Sequence, residues 1–217
     1  MIFAALALLM SSMAWAEPSR SINIGLDPGL ELLGVVELLG GQPSREKGFA
    51  ATDSEEMRQT QAHFKAWRAS AELAVAFSTG SSCDFLKRSD ALVRLDLTPP
   101  PELVARSSIP SEFVDCFGSE KGMRAWLAAL RMFVAQARFQ EYYEAKNARL
   151  APQVEQLRRE VTAAGFITKI ERYAGLPFEG TYAMPLSSHH APGPQINSVI
   201  TNEDGSTRIV SILGALP

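Results

Sequence analysis

Residues 176–217 read LPFEGTYAMPLSSHHAPGPQINSVITNEDGSTRIVSILGALP, and this stretch decides the fold class. Helical spacing of apolar residues stops at Gly175, and Gly, Pro, Ser, Thr and β-branched residues take over. Thr181 to Leu186, Gln195 to Thr201 and Arg208 to Leu213 predict strands. Asn202-Glu203-Asp204-Gly205 joins the last two as a hairpin turn. Ile209, Val210, Ile212 and Leu213 alternate poorly, so that strand expects cover on both faces. Everything before Gly175 reads as helix. The expectation is an α+β chain, mainly α: a helical part over 17–175, then a small antiparallel sheet over 176–217, with its last strand at an exposed edge.

Working back from that stretch, the helices declare themselves by caps and stripes. Asp27-Pro28 predicts a helix start, Asp27 capping and Pro28 at the first helical position, with Gly40-Gly41 as the stop. This helix is apolar on nearly every side, so Glu31 needs either an exposed strip or a partner. Thr52 with Glu55 and Asp53 with Glu56 form overlapping capping boxes before a helix running to about Ser78. Met57, Phe64, Trp67, Ala71 and Val75 form its inner stripe, with His63 beside it. Cys83 to Leu95 predicts a shorter helix, stopped by Pro99-Pro100-Pro101. Ser119 caps the longest helical segment, whose apolar face runs from Trp126 to Tyr142, and Pro152 is expected to break or kink it near Leu150. Phe166 to Ala174 makes the last helix.

Ile2 to Met13 is an apolar run of signal-peptide length, ending in Ala14-Trp15-Ala16, a small-x-small cleavage pattern. The expectation is export, to the periplasm or outside the cell, with cleavage after Ala16. No Lys or Arg precedes the run, so either the start is weakly charged or the true start lies upstream. No other stretch has transmembrane length, and no membrane partner is expected after cleavage. The mature chain of about 200 residues suffices for one good core or two small domains. A net charge of −3 argues against general nucleic-acid binding. Cys83 and Cys116 are the two cysteines, and an oxidising compartment favours a bond between them.

Motifs for chemistry are few. The chain lacks HExxH, GxSxG, GxGxxG, a Walker loop and any closely spaced Cys pair. Ser187-Ser188-His189-His190 is the one conspicuous polar cluster. Adjacent histidines on a strand point to opposite faces, whereas on a loop His189 and His190 could share a metal, though no third ligand is identifiable. No catalytic residue is assigned.

Several blocks in order carry a resemblance: Leu26-Asp27-Pro28-Gly29-Leu30-Glu31-Leu32-Leu33; His63-Phe64-Lys65-Ala66-Trp67; Ala129-Leu130-Arg131-Met132-Phe133 through Phe139-Gln140-Glu141-Tyr142-Tyr143; and Ile170-Glu171-Arg172-Tyr173-Ala174-Gly175 with Tyr182-Ala183-Met184-Pro185-Leu186-Ser187. Together they resemble a secreted bacterial domain-of-unknown-function family whose members are similar to gluzincin zinc metallopeptidases. The family pattern suggests a His where this chain has Ser70, and an HExxH helix downstream of the strands. The resemblance implies the front portion of a peptidase-like protein, without zinc unless the chain continues to such a motif. It also implies a peptide or protein substrate, with Ile212, Leu213, Gly214 and Ala215 on the substrate side by strand addition. The competing expectation is a complete, non-catalytic binding or scaffold module outside the cytoplasm. A stop directly after Pro217 would favour it.

Overall fold

The structure is a computed structural model. It describes residues 22–40, 48–50, 54–79, 83–95, 97–105, 111–175, 178, 180–201 and 204–214. The apolar run of 1–16, the caps Thr52 and Asp53, and Ala215 lie outside the described residues.

The chain is α+β and mainly α, as its patterning requires. Strand β1 (Ile22–Leu26) leads directly into helix α1 (Pro28–Gly40). Asp27 caps that helix as its sequence dictates, its Oδ1 accepting from the Leu30 amide at 2.8 Å. Helices α2 (Glu55–His63) and α3 (Ala71–Thr79) follow, separated by a 3-10 turn at Lys65–Trp67. This interruption replaces the single long helix expected there and shifts the phase of the inner stripe. Met57 and Phe64 are buried as expected, but α3 buries Leu73 and Ala76, and Val75 is exposed. Ser54 caps α2, accepting from Met57 N at 3.2 Å.

Helix α4 (Phe85–Leu95), the short α5 (Ser111–Val114), α6 (Glu120–Gln136), α7 (Phe139–Ala163) and α8 (Phe166–Ala174) complete the helical part. Cys83 and Cys116 are disulfide-bonded with Cα atoms 5.1 Å apart, linking the start of α4 to the turn before α6. Ser119 caps α6 through Gly122 N at 3.0 Å. The expected break at Pro152 does not occur. The chain turns instead at Arg138, whose φ of 54° is left-handed, and α7 runs unbroken through the proline. Pro152 and Ala148 both face solvent, so water can serve the carbonyl that proline leaves without a donor.

Three further strands, β2 (Gly180–Ser187), β3 (Gly193–Thr201) and β4 (Thr207–Gly214), join β1 in one sheet of order β1-β2-β4-β3. The sheet is mixed rather than antiparallel. β1 runs parallel to β2 and β2 parallel to β4, and only β3 is antiparallel to β4. Because β1 comes from the N-terminal side, the sheet crosses the boundary drawn at residue 175.

The position of β4 corrects a second expectation. It lies inside the sheet, paired on both sides, so Ile212, Leu213 and Gly214 are not an exposed edge and cannot accept an added strand. Both of its faces are covered, as its poor alternation requires. Val210 and Ile212 pack with Leu30 and Val93 on one face, while Leu213 packs with Leu150 and Val154 of α7 on the other. A Cβ on Gly214 would stand 1.9 Å from the Ala191 carbonyl oxygen, so that position is closed by main chain. The largest core lies among the helices, around Trp126, Phe64, Phe85, Phe133 and Phe139.

Candidate functional site

Glu31 is fully buried, and it has found the partner that its position demands. Its Oε2 lies 2.6 Å from Lys146 Nζ of α7, and its Oε1 accepts from the Ser188 amide at 2.6 Å. The Ser188 hydroxyl donates to Glu31 at 3.1 Å and lies 2.7 Å from Lys146 Nζ. Lys146 also meets Glu56 of α2 at 2.8 Å and the Tyr142 hydroxyl at 3.3 Å. Tyr142 in turn bonds Thr60 at 2.7 Å, and Arg149 holds the other oxygen of Glu56 at 2.7 Å. One ammonium therefore ties α1, α2, α7 and the turn after β2.

The charges are fixed by this company. Burial alone would push Glu31 up, but the Lys146 ammonium outweighs it and holds the carboxyl well below its ordinary range. Burial would likewise lower Lys146, yet Glu31, Tyr142 and Glu56 hold it well above its usual value. Ser188 and Lys146 are the residue types of a serine nucleophile and its base. A base must give up its proton, and two carboxylates beside Lys146 keep that proton in place. The cluster is a tether: every polar atom of Lys146, Glu31 and Ser188 in it has a partner, which is what a buried ionic group requires.

His189 and His190 diverge. His189 packs against α1, its Nε2 3.5 Å from Glu31 Oε2, beyond hydrogen-bond reach. A Cβ at Gly34 would stand 2.2 Å from the His189 ring, so the glycine inside α1 makes room for it. His190 turns to α4, with Nε2 2.9 Å from Ser89 Oγ and its ring 4.5 Å from that of Phe85. Burial lowers both imidazoles, His190 to about 3, and both are neutral. Two histidines aimed at different helices do not fit one zinc. Among the described residues no three of His, Cys, Asp and Glu are grouped to hold a metal.

The two edges of the sheet differ. At β1 two outward carbonyls are taken by α7: Arg158 Nη2 donates to Ile24 O at 2.7 Å, and the Tyr143 hydroxyl donates to Leu26 O at 2.8 Å. At β3 the described residues offer nothing comparable from Ile196 to Thr201, where the main chain pairs with β4 alone. Gln195 and a bulge between Pro194 and Ile196 blunt only the first residues. Along the open part, Ser198 and Ile200 point to α4, while Asn197, Val199 and Thr201 face solvent, Val199 at 62 % exposure. Asp90 and Arg94 of α4 flank Ser198, Asp90 accepting from its hydroxyl at 2.5 Å.

Sequence reasoning located Glu31 as a residue in need of a partner and missed the partner. The signal for Lys146 was its phase: it falls on the stripe Tyr143, Leu150 and Val154 that faces the sheet. Comparison with known proteins returns no matching family model, no matching curated protein and no matching solved structure.

Proposed function

We propose that this chain is an exported polypeptide-binding module, built like the recognition part of a peptidase, which takes an extended segment as a fifth strand on β3. The observation that carries this reading is the open edge from Ile196 to Thr201 beside a β1 edge that is closed by α7. Main-chain hydrogen bonds to such an edge give affinity without regard to sequence, and alternate side chains add selectivity. Here Val199 would contact the ligand on the solvent face, and Asp90 and Arg94 on the other. Support for export comes from the apolar run ending at Ala16 and from the Cys83–Cys116 disulfide. Among the described residues no helix is long and apolar enough to cross a membrane.

The resemblance to gluzincin-like proteins supports a polypeptide ligand. Zinc and hydrolysis would enter only with an HExxH helix following these strands, and no catalytic step is assigned to the residues described. The site for the ligand moves from Ile212–Gly214, which β3 covers, to β3 itself.

The test is fluorescence anisotropy with labelled ten-residue peptides and the same peptides methylated at alternate backbone nitrogens. Strand addition predicts saturable binding that backbone methylation weakens at least tenfold. Equal binding of both forms would show that side chains alone are read, and absence of binding would remove the reading.

A further inference from the structure

On the α1/α4 side of the sheet, cover is incomplete. Val210 and Ile212 of β4 are packed beneath Leu30 and Val93, but over β1 and β2 a cleft of ≈ 250 Å³ opens, lined there by Asn23, Gly25, Ala183 and Pro185. Gly25 and Ala183 are its smallest residues, and a Cβ on Gly25 would meet nothing within 4 Å. A second lobe of ≈ 130 Å³ continues the cleft, walled by Leu92, Leu97 and Pro99. Asp27, Pro28, Val93 and Arg208 line both lobes.

The cleft thus carries one anion and one cation above an apolar wall. Asp27 is half-buried, and its carboxylate caps α1 through Leu30 N at 2.8 Å, which leaves lone pairs for a second donor. Arg208 is positioned by Val93 O, which accepts from its Nη2 at 3.1 Å, and a guanidinium has five donors in a planar fork. Drug-sized ligands need pockets of about 300 Å³ or more, so this cleft suits something smaller.

We propose that this cleft binds a free α-amino acid with a small apolar side chain, its carboxylate on Arg208, its ammonium on Asp27 and its side chain against Leu92 and Leu97. The two charges of the cleft match the two charges of the ligand, and the small floor residues leave the room it occupies. Burial raises the Asp27 carboxyl above its ordinary value despite the Leu30 and Gly29 amides and Arg208, so an added ammonium would favour its ionised form. The site is independent of the β3 edge and does not rest on polypeptide binding.

The experiment is isothermal titration of the full chain with L-valine, N-acetyl-L-valine and L-valinamide. Binding is expected for L-valine, with at least a tenfold loss for each blocked form. Gly25→Leu, whose Cβ would meet nothing within 4 Å, fills the floor and is expected to abolish L-valine binding while leaving the melting temperature and peptide binding at β3 intact. Arg208→Gln is expected to weaken L-valine and valinamide toward the same low affinity. No heat with L-valine up to millimolar concentration, or equal affinity for all three compounds, would overturn the proposal. So would L-valine binding that survives Gly25→Leu.

Discussion

The two edges of this sheet solve one problem in opposite ways. A strand edge exposes unpaired amides and carbonyls, and proteins cover it, blunt it or use it. β1 is covered: α7 lays Tyr143, Leu150, Val154 and Arg158 along it, two of them packing and two donating to its carbonyls. β3 receives a bulge and a proline at one end and is otherwise left unpaired among the described residues. The lesson is that the open edge is a local choice, not a general looseness of the sheet. The same helix that seals β1 also carries Lys146 into the Glu31 cluster. The closed side is therefore fixed by ions, packing and hydrogen bonds together, and the open side by β4 and α4 alone.

The sharpest way to break this contrast is to unfasten the closed side. Lys146→Met leaves Glu31 buried without its cation, and removing one partner of a buried pair costs about 3–5 kcal/mol. Urea denaturation should show that loss, and adding Glu31→Gln should recover much of it. A loss below about 1 kcal/mol would mean that the cluster does not hold the closed side.

Gly34→Ala tests the same side through packing. Alanine favours helix by about 1 kcal/mol over glycine, but its Cβ would enter the His189 ring. A net loss of about 1–3 kcal/mol is expected from overpacking, read from the denaturation midpoint.

Acid should loosen the turn after β2, where both histidines are buried. His190 is neutral in the fold with a pKa of about 3, against an ordinary value of 6.5. The unfolded chain therefore takes its proton first, so the contribution is intact above about 6.5 and lost as pH falls from there toward 3. The slope is about 1.4 kcal/mol per pH unit for each proton taken up. His189 is lowered in the same direction, and Glu31, held low, adds a further loss beneath its ordinary value of 4.5. Thermal melts from pH 7 to 4 should show the decline, and His190→Asn should flatten it. A flat profile in the parent chain would contradict the burial of both neutral rings.

The smallest effect belongs to one hydrogen bond. Tyr143→Phe frees the Leu26 carbonyl and should cost about 1 kcal/mol. Combined with Arg158→Gln it should open β1 and create a second site for extended peptides, visible as a doubled stoichiometry. An unchanged stoichiometry would show that α7 shields β1 by bulk rather than by its donors.

How much of this lay in the sequence depended on how far apart the deciding residues are. The Asp27 and Ser119 caps, three strands of the sheet and the cysteine pair follow from local chemistry and were legible. Strand β1 was not: five residues before a strong helix start, with partners at Tyr182 to Leu186, carry little local signal. For the same reason the place of β4 was not legible. It is last in sequence but interior in space, because β2 pairs across it in parallel and β3 folds back on its far side. Pro152 misled because its cost depends on which face it occupies, and the apolar stripe of α7 offsets a break on the solvent side. In the site, Glu31 was legible as a burial conflict. Lys146 was hidden among exposed charges, and the β3 edge needed the strand order.

The account is tested most directly by amide hydrogen exchange of the chain with and without a saturating ten-residue peptide. Added protection confined to Ile196–Thr201, with β1 unchanged, is the predicted result. Protection that appears elsewhere while Ile196–Thr201 exchanges as before would contradict strand addition at β3.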